Sequence, residues 1–388
     1  MPSVSPAPLA IVQKSNALVI ATVDDGREPT TLVPEGRWPA WRPGHPQLAV
    51  SILHMGDPVS SSVELVSIDG TEPLELFRSQ PGVMPVIAPR LPHYLLWSPQ
   101  GERLAIVAQG EFGLQLEVVV PGPPFRRDVL DFGAPIFSRW TPDGTAIVSH
   151  IGEALAVFSF TPGLPVSRVT IEEKALGFRT PAVTHDGSLV VFGTAGSDGT
   201  TVVAYSTRTQ ERHELGTFEG GVALASLPGG LISVAVVRQP ESGVFDSLWL
   251  IDPASPADRS RVARGPFACA LWSPDGERVA LLVPSHFGDG RYSFHIRNRE
   301  GRFLAASEPF VPAQDLRAML AFWDQYALSH PLWSPDASLL AVTGRLPTDA
   351  VSASFGDPAG DYVYIWKPER GEPLRLLAPG ELAFFPPA

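Results

Sequence analysis

The sequence predicts an all-β fold: a single closed β-propeller of four-stranded antiparallel blades with one short helical insertion near 312–328. Three observations carry this. Turn formers are dense and evenly spread, with 41 Pro and 35 Gly in 388 residues, as many short strands joined by many turns require. A strand–turn–strand motif recurs along the whole chain. The incomplete copies at the two termini complement each other.

The clearest copies of the motif are LLWSPQGERLAIV (95–107), ALWSPDGERVALLV (270–283) and PLWSPDASLLAV (331–342). Weaker ones are AWRPGHPQLAV (40–50), RWTPDGTAIV (139–148), AVTHDGSLVV (182–191) and ASLPGGLISVAV (225–236). The residue that ends the first strand is Trp41, Trp97, Trp140, Val183, Ser226, Trp272 and Trp333 in turn. Seven residues later stand Leu48, Leu104, Ile147, Val190, Ser233, Val279 and Leu340, apolar in every copy but the fifth. Pro-Asp-Gly supplies the turn: Pro presets φ, Asp hydrogen-bonds its own backbone, and Gly accepts positive φ. Trp is large enough to fill the wedge between neighbouring sheets. Third strands follow, such as VELVSIDG (63–70), LEVVVPG (116–122), LWLIDP (248–253) and YVYIWKPERG (362–371), then short fourth strands such as EPLELF (72–77) and EPLRLL (372–377). Four strands per repeat of this length make a propeller blade.

The termini set the blade count. LAIVQ (9–13), ALVIATVDDG (17–26) and EPTTLV (28–33) match second, third and fourth strands without a first. Ala383-Phe-Phe-Pro386 resembles Leu-Trp-Ser-Pro and puts Phe384 at the Trp position. The C-terminal strand (381–387) is therefore expected to complete the blade begun by 9–33, giving one domain over 1–388. Eight blades are favoured over seven with a loose N-terminal arm. A closed ring exposes no sheet edge and ties down both chain ends.

The WSPDG-x-x-(I/L/V)-A repeats resemble the WD40-like repeats of TolB-type β-propellers. The resemblance covers nearly the whole chain. It implies a rigid ring that binds a protein or a ligand.

Composition excludes several classes of function. Net charge is −12, from 29 basic and 41 acidic residues. This does not suit a nucleic-acid groove or docking on anionic lipid. Apolar residues are 44% of the chain, enough for a sizeable core. No apolar run reaches the ~18 residues of a membrane helix. The N-terminus lacks a basic segment followed by a long apolar one, so a cytoplasmic location is expected. The single cysteine, Cys269, lies in the apolar run FACALW and reads as a small buried hydrophobe.

Function in a repeat scaffold sits where the repeat is broken. Between Trp272 and Trp333, residues 312–328 read PAQDLRAMLAFWDQYAL. Leu316, Met319, Leu320, Trp323 and Ala327 share one helical face. That face is expected to pack on neighbouring blades. Asp324 and Gln325 are expected to face outward, and Tyr326 joins them in a candidate lid or docking helix. The other long gap brings a Pro-rich loop at 78–94.

Histidines form a second constellation. His54, His150 and His286 follow second strands, and His93 and His330 precede first strands. All five map to the face opposite the Pro-Asp-Gly turns, with Asp57, Glu153 and Asp289 nearby. Imidazole plus carboxylate suits a general base or a metal site, but no pair has local ligand spacing, and no metal or other cofactor is expected. No Gly-x-Ser-x-Gly elbow, P-loop or dinucleotide fingerprint occurs. The expectation is a non-enzymatic scaffold, monomeric by default, that binds a protein partner through one face. The alternative is an enzyme or sensor with a small-molecule or metal site on the histidine-bearing face.

Overall fold

A computed structural model describes residues 8–388 except 24–25, 57–58, 80–93, 111–112, 123–124, 177–178, 286–287, 348–359 and 371. His93, His286, Asp57 and most of the loop at 78–94 lie outside the described residues.

Eight four-stranded antiparallel sheets form the ring. Seven are numbered here by their first strands: blade 2 from Arg37–Trp41, blade 3 from Tyr94–Trp97, blade 4 from Ile136–Trp140, blade 5 from Ala182–Val183, blade 6 from Gly221–Ser226, blade 7 from Ala270–Trp272 and blade 8 from Val311–Pro312. Blade 1 takes its first strand, Leu382–Phe384, from the C-terminus, where it pairs with Pro8–Val12 in the register Ala10↔Phe384, Ile11↔Ala383 and Val12↔Leu382. First strands are almost wholly buried and several touch one another around the axis, while fourth strands such as Arg126–Phe132 are largely exposed. The first strands therefore surround the axis and the fourth strands form the rim.

The repeated residues hold neighbouring blades together. Trp97 donates its indole N–H to the carbonyl of Ala40 (3.2 Å), Trp140 to Leu96 (3.0 Å) and Trp333 to Leu271 (3.0 Å). In each case the acceptor is the residue just before the Trp position of the preceding blade. Each such bond removes a buried donor and acceptor together, which matters more than the bond's modest net worth. The turns work locally. Thr184 donates to the Asp186 carboxylate at 2.6 Å, and the same oxygen accepts the Ser188 N–H at 3.1 Å. These bonds, Thr184 first, hold Asp186 down to about 2. Gly101, Gly144, Gly187 and Gly276 take positive φ at the turn; Ala337 does so in blade 8 without the glycine.

Among the described residues no helix is long and apolar enough to cross a membrane. Cys269 is buried, and burial pushes its thiol up to about 12, away from reactivity.

Candidate functional site

The insertion does not lie on the surface of the ring. It interrupts the first strand of blade 8. Val311 and Pro312 pair with Arg345 and Gly344, the chain leaves the sheet, and it returns where Leu332 accepts the Ala341 N–H at 2.8 Å. Between these points run two short helices, α1 (Gln314–Leu320) and α2 (Trp323–Tyr326). First strands line the axis, so this segment projects into the axial space and plugs it on the face opposite the Pro-Asp-Gly turns.

Contacts around the plug come from six blades. The Tyr326 ring lies 5.3 Å from Trp38 of blade 2 and 5.4 Å from Tyr94 of blade 3. Phe322 meets Phe137 of blade 4 at 6.0 Å, and Trp323 meets Phe245 of blade 6 edge-on at 5.9 Å. The His330 ring lies 4.6 Å from that of Phe384, tilted by 58°, on the C-terminal strand that closes blade 1. Arg179 and Thr180, which lead into blade 5, hold Asp324: the guanidinium at 2.9 Å and the Thr180 N–H at 2.8 Å. The Tyr94 hydroxyl donates to the Gln325 carbonyl at 2.9 Å.

This corrects the expectation for the polar residues of the insertion. Asp324 and Gln325 are 3% and 5% exposed and Tyr326 6%, so none of them faces outward. The single helix is also broken, at Phe322 (φ −124°, ψ 43°). The physical reason is the setting. A helical wheel assumes one wet face and one dry face. Inside a ring every direction meets protein, and all four residues of α2 are buried. The apolar residues Leu316, Met319, Leu320 and Trp323 are buried as expected.

The three described histidines of this set, His54, His150 and His330, each have their own contacts. His54 is half-buried, with its Nε2 2.8 Å from the Ser62 hydroxyl. His150 is buried, its Nδ1 3.4 Å from the Arg179 carbonyl, and burial lowers its pKa. His330 is buried beside the Ser329 hydroxyl at 2.7 Å, and burial pushes it down to about 3, so the ring is neutral. Its Nε2 has no hydrogen-bond partner among the described residues. Among the described residues the Ser329–His330 contact has no acid to orient the ring as a catalytic histidine needs, and Asp324 is held by Arg179. Glu153 and Asp289 are exposed, and Asp289 pairs with Arg291. Among the described residues no three His, Cys, Asp or Glu side chains gather as a metal site.

Two recesses flank α1 on the plugged face. One, of about 400 Å³, is lined by Lys14, Asn16, Arg37, Gln314, Asp315 and Glu381 among others. The second, of about 360 Å³, is mainly apolar, with Val244, Phe245, Ala268, Tyr292 and Leu320, and carries Arg179 and Arg317 at its polar points.

Two residues escape sequence reasoning. Nothing in the local sequence marks Arg179, whose partner lies 145 residues away. Arg139 does leave a signal. It occupies the residue before the Trp position, where the other blades carry Ala40, Leu96, Ala182, Ala225, Leu271, Leu332 and Ala383. Its guanidinium donates to the Ser226 hydroxyl at 2.6 Å, joining blade 4 to blade 6.

No family model and no curated protein matches the sequence. Among solved structures, a eukaryotic initiation factor superposes with a TM-score of 0.56 at 12% identity, over 98% of this chain and 99% of that one. A prolyl endopeptidase gives 0.54 at 13% identity, over 91% of this chain and 50% of that one. TolB from Acinetobacter baumannii gives 0.41 at 14% identity, over 88% and 82%. At such identities the likeness to the first two shows the fold alone.

Proposed function

We propose that this chain is a non-enzymatic propeller that binds a protein partner through its plugged face. The relief of that face supports the reading. The funnel in which a ring could hold a small substrate is filled by the chain's own side chains. What remains outside is one side of α1 and its C-cap, with Gln314, Arg317 and Ala321 exposed between the two recesses. A ridge flanked by one charged and one apolar hollow offers shape and charge to a complementary protein surface.

The test is capture with cross-linking from the source cell, using the full chain and the double variant Arg317→Glu, Ala321→Arg. A stoichiometric partner retained by the parent and lost by the variant is expected. Absence of any partner on the parent, or equal capture by both, overturns the reading. Stabilisation of the parent by a metal ion or metabolite, abolished by His54→Ala, would instead favour an enzyme or sensor on the same face.

A further inference from the structure

We propose that the axial space on the turn side of the plug holds a small oxyanion, a carboxylate or phosphate group, on Arg139. The inference stands apart from the partner-binding reading and concerns the opposite end of the ring.

The repeat itself has no use for an arginine at this place, since Ala or Leu suffices in the seven other blades. Two neighbouring wedges also lack their Trp, with Val183 in blade 5 and Ser226 in blade 6. The Arg139–Ser226 bond passes over blade 5, which stands between its partners. Blades 4 and 6 are not adjacent, so this contact can be made only through the axial space. The guanidinium is therefore in the channel. Tyr94, whose hydroxyl reaches the underside of the plug, is close enough to act on it electrostatically.

Its charge has no counter-ion among the described residues. Arg179, which reaches the plug from blade 5, has Asp324 as its acid. Arg139 has no carboxylate partner among the described residues, and Ser226 takes only one of its five N–H donors. Desolvation lowers its pKa to about 10, which leaves it charged at neutral pH. A largely desolvated cation with unused donors is costly unless something compensates it. A planar fork of donors matches a carboxylate or phosphate group, and the Ser226 hydroxyl can donate its own proton to the same anion.

The site is reachable. Arg139, Ala225, Ser226 and Trp272 keep partial exposure, whereas Ala40, Leu96, Ala182, Leu271, Leu332 and Ala383 at the equivalent ring positions are buried. The plug closes the other end, so entry is from the turn face.

The experiment is calorimetric titration of the full chain with inorganic phosphate and, separately, with acetate, at ionic strength matched with sodium chloride. Saturable binding of at least one is expected, and the better ligand identifies the group. Arg139→Met should weaken it about tenfold or more, Ser226→Ala severalfold, and Arg317→Glu on the plugged face not at all. No saturable binding to the parent chain overturns the proposal, as does unchanged binding by Arg139→Met. If that variant does not fold, Arg139→Lys replaces it, since it keeps the charge and removes the fork. Parent-like binding by both Arg139→Lys and Ser226→Ala then overturns the proposal equally.

Discussion

Arg179 and Asp324 form a 2.9 Å ion pair between the strand entry of blade 5 and the axial plug, although 145 residues separate them. The Asp324 carboxylate is fully enclosed, and the Arg179 side chain is 26% exposed. The second carboxylate oxygen accepts a backbone N–H from Thr180. One side chain therefore fastens the insertion to the far side of the ring.

Replacing Asp324 by Ala should destabilise the fold by about 2–4 kcal/mol, because it leaves the Thr180 N–H and part of the guanidinium buried without an acceptor. Asp324→Asn, which keeps an acceptor and the shape, should cost less. Chemical denaturation measures both. A loss below about 0.5 kcal/mol for Asp324→Ala would mean that the pair does not anchor the plug.

Trp323 is 2% exposed and packs edge-on against Phe245. Trp323→Ala should cost about 3–5 kcal/mol by leaving a cavity at the axis. A thermal or denaturant midpoint like that of the parent would show that the plug adds nothing to ring stability.

Acid should weaken the protein through His330. A free imidazole titrates near 6.5, whereas burial holds His330 down to about 3 in the fold. Between these values the unfolded chain binds a proton that the folded one refuses. Stability therefore falls as pH drops from about 6.5 towards 3, by at most about 1.4 kcal/mol per unit from this group. His150 is shifted in the same direction by burial and adds to the trend. Asp186, held at about 2, acts in a separate window, since its contribution is lost only below the ordinary carboxylate range near 4. His330→Gln should flatten the stability curve between pH 6.5 and 4.5. An unaltered slope would show that the ring is hydrated or charged in the folded state.

Deleting residues 380–388 removes the first strand of blade 1 together with Phe384 and Phe385, both 0% exposed. It also strips the backbone pairing from Ala10 to Val12 and the ring that packs on His330. A loss of at least about 5 kcal/mol is expected, since burial of each Phe is worth about 3–5 kcal/mol by truncation. A truncated chain that melts with the parent would show that the ring holds without its closing strand.

The repeat was legible because each of its signals is local. A Trp at a strand end, a Pro-Asp-Gly turn and an apolar residue seven positions on are short-range patterns, and Phe384 could be matched to Trp41 by the same rule. The eight-bladed ring with its antiparallel blades was thus favoured by sequence, and the pairing of the C-terminal strand with Pro8–Val12 closes it. The fate of residues 312–328 was not legible in the same way. Their helical period was visible, but which side of a helix is dry depends on what surrounds it. Here six blades converge on the axis and bury Asp324 and Gln325 along with Trp323. Arg179 became the partner of Asp324, and Arg139 reached Ser226 across a blade, only when ring closure brought distant strand ends to a common axis. Local turn chemistry determines a blade, whereas the axial contacts exist only after all eight blades are in place.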